Sequence, residues 1–226
     1  MKKHLIIPAA GQSRRFGEGN KVLSKLGGKS VLRVSLEKFI QNFDFANVLI
    51  VNSADDECFI ASETADLANG RIRLIRGGKT RAQSVIAAWR EIENSTDAND
   101  LLVIHNAANP MVSVAEISQV IDKAQEFGAA FVAHPASCTL HRVENGASFE
   151  TLNRQEIYQA QTPQALKVNL FKKALIEAEK QNFDFTDEIT LLHLINHRAH
   201  MINANERNFK ITYAHDLELM RRFFDL

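Results

Sequence analysis

Hydrophobic and polar positions along this chain switch repeatedly between two periods. Leu5-Ile6-Ile7, Val48–Val51, Ile72–Ile75, Leu101–Ile104 and Ala129–Ala133 are short continuous apolar runs, the pattern of strands buried on both faces. Between them, apolar residues recur at helical spacing. Ser30–Phe43 sets Val31, Leu32, Leu36, Phe39 and Ile40 on one face, with Ser30 as cap. Asp55–Leu67 reads as a second helix, and Thr80–Ile92 carries Val85, Ile86, Trp89 and Ile92 at the same spacing. Further helices are predicted over Val114–Phe127, Val168–Lys180, Asp187–Asn196 and from His215, with a strand-like Ala199–Asn203. Strands alternating with helices predict an α/β fold, a mostly parallel Rossmann-like sheet covered by helices on both faces. Ligands bind such sheets at the carboxyl ends of the strands, where Pro8–Lys21, Arg76–Ser84 and His105–Pro110 fall.

One stretch breaks the rhythm. Pro135–Gln161 alternates polar and apolar residues, with Asn145-Gly146 as a hairpin turn. It is predicted to be a β-arm protruding from the sheet. It carries Val143, Phe149, Leu152 and Tyr158, and a two-stranded hairpin is marginal alone in water, so a second copy of the chain is its expected support. With no linker-like segment, residues 1–226 read as a single domain bearing this arm.

Composition removes several function classes. The formal net charge is zero, with 27 basic and 27 acidic residues, where a nucleic-acid binder would show a basic excess. No apolar run is long enough for a signal peptide or a membrane span, so no membrane partner and a cytoplasmic location are expected. Cys58 and Cys138 lie far apart with no ligand spacing around them; they are expected to be reduced, partly buried thiols.

The chemistry gathers in short motifs. Pro8–Lys21 reads P-A-A-G-Q-S-R-R-F-G-E-G-N-K. Pro8, Ala9, Ala10 and Gly11 follow a strand and leave the backbone amides open to a ligand, while Arg14, Arg15 and Lys21 add cations, a combination suited to a polyphosphate. It is neither a Walker loop nor G-x-G-x-x-G, because Ser13 stands where the second glycine belongs. Gly77-Gly78-Lys79-Thr80-Arg81-Ala82-Gln83-Ser84 offers close approach to a flat ring at Gly78 and a hydroxyl at Ser84. His105-Asn106-Ala107-Ala108-Asn109-Pro110 ends a strand, Gln161-Thr162-Pro163-Gln164 follows the arm, and Thr186-Asp187-Glu188 opens a helix that Thr186 is expected to cap. In Asn208-Phe209-Lys210-Ile211-Thr212 a lysine sits among apolar neighbours and is expected to have an anionic partner.

In order and spacing these motifs resemble the 2-C-methyl-D-erythritol 4-phosphate cytidylyltransferases of the non-mevalonate isoprenoid pathway, together with the related ribitol-5-phosphate cytidylyltransferases. The resemblance runs from Leu5 to about Leu217 and implies the nucleotide-diphospho-sugar transferase type of fold. It implies CTP held by Pro8–Gly11, Gly78, Arg81, Ser84, Asn106 and Ala107, with Arg15, Lys21 and Lys210 as the catalytic cations. It implies an acceptor pocket with Asn109, Thr162 and Thr186, and a homodimer whose arm brings Thr139 and Arg154 to the other subunit's site. Four positions depart from the family pattern. H-D-A-[AV]-R-P is here H-N-A-A-N-P, with Asn106 and Asn109 in place of a carboxylate and an arginine; T-x-K is Thr139-Leu140-His141; the aspartate before the arm arginine is Asn153; and Pro-Lys-Gln is Asn20-Lys21-Val22.

The expected reaction is attack of a polyol-phosphate oxygen on the α-phosphorus of CTP, with loss of pyrophosphate. A phosphomonoester is already a nucleophile at neutral pH, so catalysis would rest on positioning and on cations, with Mg²⁺ carried by the phosphates and no protein metal site. The acceptor stays open between methylerythritol phosphate and ribitol 5-phosphate or another surface-polysaccharide precursor. A non-catalytic nucleotide-binding relative is the alternative from another class, and the lack of any Asp-x-Asp disfavours a glycosyltransferase.

Overall fold

The computed structural model describes residues 1–11, 13–17, 19–67 and 70–224; Gln12 and Glu18 of the predicted phosphate loop lie outside them. Eleven strands are formed: β1 Lys3–Pro8, β2 Lys25–Leu26, β3 Lys29–Ser30, β4 Asn47–Asn52, β5 Ile72–Arg76, β6 Leu101–Ile104, β7 Ala129–Pro135, β8 Leu140–Glu144, β9 Ala147–Leu152, β10 Tyr158–Lys167 and β11 His200–Asn203. The helices are α1 Val31–Ile40, α2 Glu57–Thr64, α3 Arg81–Arg90, α4 Val114–Phe127, α5 Val168–Lys180, α6 Glu188–His193 and α7 Ala214–Arg221.

Seven strands make one sheet in the order β11-β7-β10-β6-β1-β4-β5. All neighbours run parallel except β10, which is antiparallel to both β6 and β7. The sheet is therefore the expected mostly parallel one with a single reversed strand. Alternation along β1 shows why both faces must be covered. Leu5 and Ile7 enter one apolar cluster with α1, α4 and α7, while Ile6 enters the other with α3, α5 and α6. Local caps start the helices where the sequence supplies an acceptor: Ser30 Oγ accepts from the Arg33 amide, and Ser113 and Glu116 form a reciprocal capping box. No helix among the described residues is long and apolar enough to cross a membrane.

The arm is shorter than its polarity suggests. Only β8 and β9 project as a separate ribbon, joined at Asn145 and Gly146, both at positive φ as the tight turn requires. Tyr158–Gln161, assigned to the arm by its glutamines, instead begins β10, and Tyr158 pairs with Pro135 at the end of β7. Pro163 within Tyr158–Lys167 argues against a central strand. The sheet accommodates it at an irregularity between Ala160 and Gln164, where the pairing register with β7 shifts. The cysteine expectation also changes: Cys58 and Cys138 are both exposed free thiols.

Candidate active site

Because β1, β4, β5 and β6 run parallel, the loops that leave their carboxyl ends meet on one edge. There they form a cleft of about 550 Å³. Pro8, Ala9, Ala10 and Gly11 supply one wall, and Gly78 to Arg81 with Ser84 supply the opposite one. Asn106 and Ala108 form the floor, and Lys21 and Lys210 enter from the side. The glycine at 77 is dictated by this closeness: a Cβ there would lie 2.5 Å from the Ala10 Cβ and 3.1 Å from Ser84 Oγ.

The cations are held by backbone and by each other. Lys21 Nζ donates to the Ile211 carbonyl at 2.8 Å, and the Ile211 amide donates to the Ala108 carbonyl at 2.9 Å, which fixes the segment carrying Lys210. Burial and the neighbouring Lys21, Arg81 and Arg15 lower the Lys210 ammonium to about 8. Lys21 is lowered by burial and by Arg15, against the pull of Asp216. The anionic partner expected for Lys210 is not supplied by the described residues: none of their carboxylates forms an ion pair with it, and its near neighbours are cations. The described residues lining the cleft include no carboxylate. Such a site gains from any ligand that brings negative charge.

Arg81 is the organised cation. Its Nη1 and Nη2 donate to the two oxygens of Glu188 at 2.8 and 2.9 Å, and its Nε donates to Asn106 Oδ1 at 3.3 Å. Glu188 is wholly buried, and although burial opposes the charge on Arg81, the carboxylate outweighs it and holds the guanidinium above its ordinary value. Glu188 is the functional neighbour that motif reading missed; a Thr-Asp-Glu at a helix start reads as capping alone.

The floor is stapled from below. Burial pushes His105 down to about 3, so the ring is neutral. Its Nε2 lies 3.0 Å from the Asn109 carbonyl, which can only accept, so Nε2 carries the proton and Nδ1 accepts from Thr162 Oγ1 at 3.0 Å. Thr162 Oγ1 in turn accepts the Asn106 amide at 3.1 Å. Asn208 Nδ2 donates to Glu116 Oε1 and to the Thr162 carbonyl, both at 3.0 Å, and Glu116 Oε1 also accepts the Asn205 amide at 3.0 Å. One buried carboxylate thus anchors the loop that leads to Lys210.

Several predicted residues stand elsewhere. Ala107 is fully buried, its amide directed to the Pro8 carbonyl and its carbonyl accepting from Ser35; its neighbours 106 and 108 reach the cleft instead. Asn109 is also fully buried, and its Nδ2 donates to Gln161 Oε1 and Asn208 Oδ1 rather than facing an acceptor. Thr162 acts through the floor rather than lining the cleft. Ser84 Oγ accepts the Gly78 amide and donates to the Thr80 carbonyl, so its hydroxyl shapes the turn. Thr186 is exposed and does not cap α6; Asp187 does, accepting the Thr190 amide at 2.8 Å. Arg15 is exposed, and it is Arg14 that lines the cleft, a choice between adjacent arginines that sequence cannot make. Thr139 and Arg154 are exposed at the base of the β8–β9 ribbon, outside the chain's own cleft, with Arg154 Nη1 on the Ser137 carbonyl. No cluster of three His, Cys, Asp or Glu suited to a metal occurs among the described residues.

Comparison with known proteins agrees with this geometry. The family model for IspD, 2-C-methyl-D-erythritol 4-phosphate cytidylyltransferase, matches residues 3–224. The chain is 33% identical over 225 residues to the 2-C-methyl-D-erythritol 4-phosphate cytidylyltransferase of Rhodopirellula baltica, covering 95% of this chain and 91% of that one. It is 33% identical over 223 residues to that of Halalkalibacterium halodurans, covering 96% and 94%. The crystal structure of the Francisella tularensis enzyme superposes with a TM-score of 0.82 at 29% identity, covering 97% of this chain and 98% of that one. This chain belongs to the 2-C-methyl-D-erythritol 4-phosphate cytidylyltransferase family.

Proposed function

We propose that this protein transfers the cytidylyl group of CTP to 2-C-methyl-D-erythritol 4-phosphate, releasing pyrophosphate, and so makes an isoprenoid precursor. The observation that carries the reading is the carboxylate-free cleft at the strand ends, in which Lys21, Arg81 and Lys210 converge. A phosphate oxygen of the acceptor attacks the α-phosphorus; the new P–O bond forms as the bond to the β-phosphate oxygen breaks, and the electron pair leaves with pyrophosphate. Lys21 and Lys210 meet the charge that grows on the transferred and leaving groups. The small residues at Pro8–Gly11 admit the triphosphate to backbone donors, and the turn that Ser84 holds at Gly78 receives the base. With no lining carboxylate to bind it directly, Mg²⁺ enters on the phosphates and supplies additional charge neutralisation there.

The working unit in this proposal is a cytoplasmic homodimer. Val143 and Phe149 on the ribbon are 57% and 60% exposed, and Thr139 and Arg154 stand outside their own cleft. Both facts are accommodated if the ribbon of one subunit reaches the other's site. Asn106, neutral where the family pattern has a carboxylate, favours keeping ribitol 5-phosphate as the second acceptor to test. The deciding experiment is pyrophosphate release from CTP with a panel of polyol phosphates. Turnover on methylerythritol phosphate above all others is expected; turnover on ribitol 5-phosphate alone would move the assignment to the alternative, and none on any polyol phosphate would end it.

A further inference from the structure

Asn106 lines the cleft, and three contacts fix how its amide group is turned. Its backbone N–H donates to Thr162 Oγ1, so the residue cannot shift along the floor. Its Oδ1 accepts from Arg81 Nε at 3.3 Å. A guanidinium has donors and no acceptor, so the side-chain oxygen, and not the nitrogen, must face Arg81. Arg81 is itself locked by two hydrogen bonds to the wholly buried Glu188. The Nδ2 group of Asn106 is then turned away from Arg81, and it makes no hydrogen bond to any described residue.

We infer that Asn106 is a specificity-determining donor, presenting its NH₂ to a phosphate oxygen of the ligand in the cleft. The inference rests on the cleft's being the nucleotide and acceptor-phosphate site proposed above. The chemistry of the partner follows from the donor. An NH₂ pairs with a group that accepts, and in a cleft lined by Lys21, Arg81 and Lys210, without a lining carboxylate, the acceptor-rich ligand is a phosphate. A carboxylate at this position would do the opposite. It would present acceptors and a negative charge to the same phosphate, and it would compete with Glu188 for one guanidinium. Asn106 therefore lets the site hold a phosphate by protein donors alone.

The phosphate oxygen could belong to the triphosphate or to the acceptor, so the test has two arms. Binding of pyrophosphate and of 2-C-methyl-D-erythritol 4-phosphate is measured by titration calorimetry, both in EDTA so that no metal can bridge a carboxylate to the ligand. Wild type is compared with Asn106→Asp and with Asn106→Leu, which has similar volume and no donor. Asn106→Leu is expected to weaken binding about fivefold, the scale of one net hydrogen bond. Asn106→Asp should weaken it by about thirtyfold or more, since repulsion adds to the lost donor. A loss confined to one arm identifies which phosphate Asn106 meets. Equal or tighter binding of both ligands by Asn106→Asp overturns the inference, as does a wild type that binds neither in EDTA. Should Asn106→Asp not fold, Asn106→Leu and Asn106→Ser decide it, and unchanged affinity in both overturns it. Loss of turnover by the wild type would strike the activity proposal alone, because these bindings are read without chemistry.

Discussion

Replacing Lys210 by methionine should make the protein more stable and nearly inactive. The ammonium sits in the cleft among Lys21, Arg81 and Arg15, and burial with those charges lowers it from 10.5 to about 8. Keeping such a lysine protonated at pH 7 costs the folded state about 3 kcal/mol in full, and about 1–2 kcal/mol once solvent in the open cleft is allowed for. The sign follows from proton counts. Between about pH 8 and 10.5 the unfolded chain holds the proton that the folded chain has released, so stability rises with pH through that window. That contribution is lost again as pH falls through 8. Methionine has similar length and no charge, so Lys210→Met should unfold at higher urea at pH 7, with Tm raised by about 2–8 °C. The gap from wild type should close as pH approaches 10. Pyrophosphate release should drop by at least about a hundredfold, the scale of a lost transition-state contact. Urea melts of both proteins at pH 7, 8.5 and 10 test the reasoning. A Lys210→Met protein less stable than wild type at pH 7, or a gap that ignores pH, would refute it.

Three further outcomes are expected. Gly77→Ala would force a Cβ to 2.5 Å from that of Ala10, pushing the two cleft walls apart; we expect about 1–3 kcal/mol less stability and CTP affinity at least about tenfold lower by calorimetry. Thr162→Val keeps the volume but strands the Asn106 amide and removes the donor to His105; urea melts should show a loss of about 1–3 kcal/mol, and unchanged stability would deny Thr162 its role beneath the floor. Mixing Lys21→Ala and Arg154→Ala chains should restore pyrophosphate release if ribbons cross between subunits, whereas a fully active monomer by light scattering would exclude shared sites.

Much of the sheet was legible because buried parallel strands announce themselves. Leu5-Ile6-Ile7, Val48–Val51, Ile72–Ile75, Leu101–Ile104 and Ala129–Ala133 all fall inside observed strands. The helices were legible from their apolar faces, and Asn145-Gly146 from its turn chemistry. β10 was not. Its Gln159, Gln161 and Pro163 give no alternation, and what makes it a strand is the company of β6 and β7 on either side, a tertiary fact. The same limit applies to the site. Motifs located the loops, because small residues and glycines mark close backbone approach. They could not say which side of a loop a residue faces, and so Ala107 and Asn109 were given roles that Asn106 and Ala108 are placed to fill.

That limit bears on the two replaced charges. Read along the chain, Asn106 and Asn109 look like a carboxylate and an arginine lost together as a pair. In the fold their side chains serve different partners. Asn106 meets Arg81, whose Nη1 and Nη2 are already committed to Glu188. Asn109 meets Gln161 and Asn208 in a buried network whose carboxylate, Glu116, is already engaged by Asn208 and Asn205. A guanidinium at 109 would therefore need a counter-charge that is already committed, in a position with no exposure at all. A carboxylate at 106 would add a second anion to a guanidinium that one anion already balances. Each neutral residue is the choice its own surroundings permit, and no direct pairing between the two side chains is needed to explain why both charges are gone.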